Sequence, residues 1–305
     1  MYISAVIPTK NRADDLLNAV ESIVKQSRVP DELIIIDQSE TDVSRDLIKA
    51  LLSDNTGIKL RYVYDTNISG LVDAKRVAVN ESSGDLICFL EDDVVLESSY
   101  IFETELLFLN NLKMMGCCGV TTNLPPLSKN YVFLFHLFHK GIFHDTRVGV
   151  HGFSEKTSAQ LIQSRYLSGG ISSYRKEVFE NISFDLKNDF FMLEDIDFST
   201  RAADYFGDSH FCINPNAKLA HYMSPINRAV FEQKYARKLR EFLVFYKKHK
   251  DKPKATLNLL LLVVGLLMEA ILMAFKVKSL SPLIGYMKGF LAGVRWDINK
   301  GKQCK

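Results

Sequence analysis

The 305-residue chain has no CxxC pair and no regularly spaced set of cysteines. Its five thiols (Cys88, Cys117, Cys118, Cys212 and Cys304) are odd in number and scattered, which reads as reduced cysteine in a cytoplasmic protein rather than as a disulfide framework. There is no strong excess of charge of either sign. A formal net charge of +2 gives no argument for a nucleic-acid partner. The opening Met1–Ile7 lacks a basic region followed by a long apolar one, so no secretory signal is expected and the segment reads as a β-strand. Disorder is excluded by composition: 47% of residues are apolar and 24% charged, enough for one large α/β domain with an appendage.

What the sequence does contain is a rhythm. Tyr2–Ile7 is an apolar run stopped by Pro8, and Ala13–Gln26 places Leu16, Leu17, Val20, Ile23 and Val24 on one helical face. Leu33–Ile36 is a short continuous apolar run of the kind buried on both faces of a parallel sheet. A helix over Val43–Leu52, a strand over Leu60–Tyr64, a helix over Leu71–Glu81 and a strand over Leu86–Leu90 follow. This alternation predicts right-handed βαβ units and a doubly wound, mostly parallel sheet flanked by helices. Ligands of such sheets bind beyond the carboxyl ends of the strands. That rule selects Pro8-Thr9, Asp37, Asp65–Asn67 and Glu91-Asp92-Asp93.

A polar residue after a strand is often only a turn former, and that reading stands for Asp37. Three consecutive carboxylates are harder to explain as a turn, because their repulsion grows as water is excluded. Full solvation, basic neighbours or a cation must offset it, and oxygen ligands suit hard ions such as Mg²⁺ or Mn²⁺. Glu194-Asp195, at the start of a helix expected to end near Phe206–Gly207, admits two readings: a cap favoured by the helix dipole, or a carboxylate kept ionised to accept a proton. Arg201, seven residues beyond Glu194, is placed to orient it or pair with it. His221 after an apolar stretch is either an ordinary histidine or a ligand. His136, His139, His144 and His151 match no zinc spacing and suggest an acceptor loop or a membrane-facing patch.

These segments, in this order, resemble the family 2 glycosyltransferases over roughly residues 1–225. The carriers of the resemblance are VIPTKNR at 6–12, LIIIDQSETD at 33–42, NISGL at 67–71 with Ala74-Lys75, GDLICFLEDD at 84–93, LSGG at 167–170 with YRKEVF at 174–179, and LEDIDFSTR at 193–201. The resemblance implies a GT-A fold and transfer of a sugar from a nucleotide-sugar donor. It implies nucleotide-sugar contacts from Pro8, Thr9, Asn11, Arg12, Asp37, Asn67, Lys75, Glu91 and Asp92. It implies a divalent cation on Asp93, completed by His221, and a catalytic base in the Glu194-Asp195 pair, with Asp195 the choice. The chain departs from the family pattern at Gln38, where a second Asp is usual, at Lys75, where Arg is common, and at Glu91, which replaces an Asp. One carboxylate opposite the leaving group suffices for a single displacement with inversion, whereas double displacement needs a second as nucleophile. Two other classes compete with this one. A sugar-phosphate nucleotidyltransferase would carry a glycine-rich loop after the first strand, and residues 8–12 contain no glycine. A non-catalytic binding protein on the same fold would need neither acidic motif.

The remaining residues, 226–305, differ in composition. Lys234–Lys254 is strongly basic, and Ala255–Phe275 carries one charge, Glu269, over a length sufficient to cross a bilayer. Lysines follow it as well, so three arrangements stand open: a hairpin with Leu280–Trp296, two helices lying in the membrane interface, or a buried helix of a soluble protein. The expected location is the cytoplasmic face of the membrane, with a saccharide or polyprenyl-linked acceptor. The expected domains are a nucleotide-binding half (1–100), an acceptor half (101–225) and a helical tail (226–305).

Overall fold

The computed structural model describes residues 1–52, 57–150, 160–224 and 230–301. The chain forms two compact units. The first comprises Met1–Pro126, Val150–Phe184 and Phe198–Ile226; the second comprises Leu127–Gly149, Asp185–Asp197 and Asn227–Lys305. Two segments expected in the acceptor half therefore group with the tail. His151 and Cys304 lie outside the described residues.

In the first unit the alternation seen in the sequence becomes β1 (Ile3–Thr9), α1 (Ala13–Val24), β2 (Glu32–Asp37), α2 (Ser44–Leu52), β3 (Lys59–Tyr64), α3 (Gly70–Glu81) and β4 (Leu86–Phe89). Then follow β5 (Val94–Leu96), α4 (Tyr100–Asn110), β6 (Gly116–Thr121), β7 (Ile162–Gln163), β8 (Ser172–Arg175), α6 (Lys176–Asn181) and β9 (Phe211–His221). The sheet order is β3-β2-β1-β4-β8-β6-β9-β5, with β7 also on β9. Strands β1 to β4, β6 and β9 run one way and β8, β5 and β7 run against them. This is the mostly parallel, helix-flanked sheet expected of a GT-A fold. Every residue of β1 and β2 is buried, because helices cover both faces. The register aligns Thr9 with Asp37 and Asp37 with Tyr64, so the carboxyl ends of the three strands form one row.

Gly70 opens α3 at φ +83°, a conformation glycine adopts without strain. Gly207, at φ +99°, follows α7 (Glu194–Phe206) and stops it where the sequence placed the end.

The second unit holds α5 (Lys129–Phe138), α8 (Phe231–His249), α9 (Ala255–Val277) and α10 (Ser281–Arg295). Helix α10 packs on α8 through Gly285, Gly289 and Gly293, spaced one turn apart. A Cβ at Gly285 would sit 2.3 Å from the Glu232 carbonyl oxygen, and one at Gly289 2.4 Å from that of Ala236. Small residues at this spacing let two backbones approach closely. Helix α9 has 23 residues and a mean hydropathy of 2.4 in its most apolar window. It buries Asn258, Leu262, Leu266, Ala270 and Ala274 along one face. Leu257, Leu260, Val264, Met268, Leu272 and Phe275 are exposed along another, as are Leu280 just before α10 and Ile284, Met287, Leu291 and Val294 on it.

The glycine seam yields a direct expectation. Gly289→Leu forces α10 off α8, at a cost of about 1–3 kcal/mol. Thermal unfolding of the full chain should show a melting temperature several degrees lower, whereas Ala292→Leu on the same helix should change it far less.

Candidate active site

Burial and hydrogen bonding sort the three carboxylates after β4 into two groups. Asp92 turns inward. Its Oδ2 accepts from the Thr9 hydroxyl at 2.7 Å and its Oδ1 from the Arg12 guanidinium at 2.9 Å. Burial raises the Asp92 pKa above the ordinary value, against the pull of Thr9 and Arg12. Asp93 follows it in the same turn. Burial opposes its charge, yet His221, the Ser224 amide and Arg12 together hold its carboxyl below the ordinary value. The amide of Ser224 donates to Asp93 Oδ2 at 2.9 Å, and Arg12 Nη1 lies 3.5 Å from the same oxygen.

Glu91 joins Asp93 rather than Asp92. His221 Nε2 lies 3.0 Å from Asp93 Oδ1 and 3.2 Å from Glu91 Oε2. The strand pairing of β5 with β9 sets this up by placing Val94 opposite His221. One ligand atom from each of Glu91, Asp93 and His221 falls within 4.8 Å of the others. Two carboxylate oxygens and one imidazole nitrogen at that separation fit a divalent cation, and the nitrogen favours Mn²⁺ over the all-oxygen preference of Mg²⁺. The resemblance assigned Glu91 to the sugar nucleotide; the geometry places it beside Asp93 and His221. Burial, together with Asp93 and Asp92, raises the Glu91 pKa, while His221 and Lys75 lower it.

Glu91 also explains Gly170. The Glu91 amide donates to the Gly170 carbonyl at 2.8 Å, and a Cβ on Gly170 would sit 2.2 Å from Glu91 Cδ. Nothing in LSGG at 167–170, one of the segments that carry the family resemblance, marks this close approach in the sequence. Lys75, almost fully buried, donates to the neighbouring Gly169 carbonyl at 2.9 Å and lies over the Phe89 ring. The glycine pair is thus tied to both β4 and α3.

The other expected donor-side residues line the same carboxyl edge. Pro8 is buried at the end of β1. Asn11, at φ +56°, donates from its backbone amide to the Ser39 hydroxyl at 2.7 Å, and its side-chain oxygen accepts from the Glu40 amide at 3.0 Å. Asp37 is fully buried and accepts from the Ser39 amide at 2.8 Å and the Tyr62 hydroxyl at 2.5 Å. Its carboxylate organises the loop as well as facing the edge. Gln38 accepts from the Gly70 amide at 3.0 Å, joining the β2 loop to the start of α3. Asn67 is exposed and donates to Asp65 from both its amide and its side chain.

In the second unit, Glu194 and Asp195 occupy the first turn of α7, Glu194 buried and Asp195 half-buried. Asp195 Oδ2 accepts from Arg147 at 2.6 Å, and its Oδ1 from the Ile196 amide at 2.7 Å. Arg147 is itself clamped on both carboxylate oxygens of Asp145. Arg147 was not anticipated, since nothing local in the sequence marks it. Arg201 donates to the Ser183 carbonyl at 2.7 Å. His139 stacks on Phe135, and burial together with Lys238 lowers its pKa to about 4, leaving it neutral.

Comparison with known proteins follows from this geometry. Residues 4–183 match the family model described as Glycosyl transferase family 2. The glycosyltransferase GlyA of Streptococcus pneumoniae is 22% identical over 60% of this chain and 26% of its own length. The O-antigen chain rhamnosyltransferase RfbN of Salmonella typhimurium is 26% identical over 60% of this chain and 55% of its own. The chain therefore spans about a quarter to about half of these curated relatives. Among solved structures, a mannosyltransferase from Pyrobaculum calidifontis, in complex with GDP-Man and Mn²⁺, superposes with a TM-score of 0.63 at 11% identity, covering 96% of this chain and 87% of that one. That likeness carries the fold. With the family model covering more than half of its length, the chain belongs to glycosyltransferase family 2.

Proposed function

We propose that this protein transfers a sugar from a nucleotide-sugar donor to a saccharide or lipid-linked acceptor with inversion, as one step in building a bacterial surface polysaccharide. The observation that carries the reading is the Glu91, Asp93 and His221 cluster at the carboxyl edge of the sheet, where donors of doubly wound folds bind. Support also comes from the similar rhamnosyltransferase of O-antigen chains and from the similar mannosyltransferase fold that holds GDP-Man and Mn²⁺.

In this reading Pro8, Thr9, Asn11, Arg12, Asp37, Asn67 and Lys75 form the donor edge. Asp92 fixes Thr9 and Arg12 in place. Glu91, Asp93 and His221 hold Mn²⁺ or Mg²⁺. A divalent cation bound there supplies positive charge to the diphosphate as it departs. Asp195 takes the proton from the acceptor hydroxyl, a contribution typically of about 10²–10⁴-fold. Arg147 and the Ile196 amide hold both its oxygens, which fixes the carboxylate's orientation. With one base and no second nucleophile assigned, the displacement is single and inverting.

We also propose attachment at the membrane surface, on its cytoplasmic side. The 15 residues of α10 extend about 22 Å, short of a hydrocarbon core of about 30 Å, so a two-span hairpin is disfavoured. Apolar stripes on α9 and α10, with Lys252, Lys254, Lys276 and Lys278 at the ends of α9, suit helices lying in the interface of an anionic bilayer.

Three outcomes are expected. With a panel of UDP-, GDP- and dTDP-sugars, Mn²⁺-dependent release of nucleoside diphosphate should be lost in Asp93→Ala; release that persists with a chelator present would remove the cation role. Asp195→Asn should keep donor affinity and lose turnover by on the order of 10²-fold or more, read by isothermal titration beside steady-state kinetics. The full chain should float with vesicles containing phosphatidylglycerol, and Val264→Glu with Leu291→Glu should release it; a wild-type chain that stays in the soluble fraction contradicts attachment.

A further inference from the structure

The tail does more than carry an apolar face. Glu241, on α8, is fully buried. Its Oε2 accepts three hydrogen bonds, from the backbone amides of Phe191, Met192 and Leu193 at 3.1, 2.8 and 2.9 Å. These are the three residues directly before Glu194-Asp195, and Leu193 accepts the first backbone bond of α7 from Asp197. A run of amides converging on one oxygen is an anion nest, filled here by a side chain from a helix about 50 residues further along the chain.

Neighbouring residues reinforce the same loop. Arg240 donates to the Asp189 carboxylate at 3.0 Å and to its carbonyl at 2.8 Å, and lies over the Trp296 ring. The Trp296 indole donates to Asn188 at 3.0 Å. Lys248 pairs with both Asp185 and Asp197. Apart from the Arg240–Trp296 contact, each of these joins the tail to residues 185–197. The arrangement also balances charge: Asp195 faces Arg147, Asp197 faces Lys248 and Glu241 lies 3.5 Å from Arg240. An acidic helix start of this density is tolerated because the helix dipole favours it and Asp195 and Asp197 each lie against a basic side chain.

We propose that Glu241 is a positioning residue for catalysis: by anchoring the three amides before α7, it fixes where the Asp195 carboxylate stands. The inference rests on Asp195 being the base. It makes the helical tail part of the catalytic apparatus as well as a membrane attachment. A carboxylate misplaced by about 1 Å costs on the order of 10²-fold in rate, so the anchoring affects turnover and leaves donor affinity alone. Replacing Glu241 by an apolar residue of similar size leaves three amides, one buried and two part-buried, without this acceptor, whereas Gln keeps an oxygen that accepts from them.

The test uses the full-length protein, Mn²⁺ and the donor sugar nucleotide that the panel identifies. Glu241→Gln should stay folded, bind the donor with wild-type affinity and lose kcat by about 10-fold; Glu241→Leu should lose on the order of 10²-fold, with KM for the donor unchanged in both. Amide hydrogen exchange should accelerate at residues 191–193 and not in β1–β4. Combined with Asp195→Asn, Glu241→Gln should cause no further loss, because both act on one step. Wild-type kcat in folded Glu241→Gln and Glu241→Leu, while Asp195→Asn is inactive, overturns the role of Glu241 alone. Should Glu241→Leu fail to fold, the kcat of Glu241→Gln decides in the same way. Turnover retained in Asp195→Asn overturns the base assignment on which the inference stands.

Discussion

Three adjacent carboxylates cannot share one partly buried environment without compensation, and the arrangement of the first unit follows from how Asp92 is kept apart from Glu91 and Asp93. Asp92 is withdrawn to Thr9 and Arg12 at the end of β1 and the start of α1. Asp93 follows in the same turn and meets His221 at the end of β9. Glu91 needs a neighbour without a side chain, which is why Gly170 stands where it does. Each partner comes from a different part of the chain, so the cluster brings together the ends of β1, β4 and β9. The acidic turn and the topology therefore specify one another.

The second unit repeats the solution with a different set of cations. Acidic residues crowd the first turn of α7, where the helix dipole favours them, and Arg147 and Lys248 add to the compensation. Fixing a carboxylate this firmly suits a group that must receive a proton at a set position. The same rigidity is reached at the donor edge through neutral contacts, with Asp37 held by Ser39 and Tyr62 and Gln38 joined to Gly70.

Features governed by local pattern were legible in the sequence. The β1–β4 alternation, the strand ends that carry Thr9, Asp37 and Glu91, the stop at Gly207 and the long apolar helix all come from periodicity or from one residue's backbone preference. Long-range pairing was not legible. Nothing near Glu241 announces that it serves amides 48–50 positions earlier, and Arg147 gives no local sign of meeting Asp195. The resemblance supplied His221 and the acidic pair, but not the division of labour between Glu91 and Asp92, which depends on which way each side chain leaves a turn. The tail read as a separate appendage because composition changes at its start. Its hydrogen bonds to residues 185–193 are made by polar groups that composition counts as surface.

The central claim is that Glu91, Asp93 and His221 together hold a divalent cation. Pulsed electron paramagnetic resonance of Mn²⁺ added to the full chain with its donor sugar nucleotide tests it most directly. The account predicts modulation from one directly bound imidazole nitrogen, lost in His221→Ala while Mn²⁺ remains weakly bound through the carboxylates. Bound Mn²⁺ with no nitrogen coupling in the wild type, or the same coupling in His221→Ala, would contradict it.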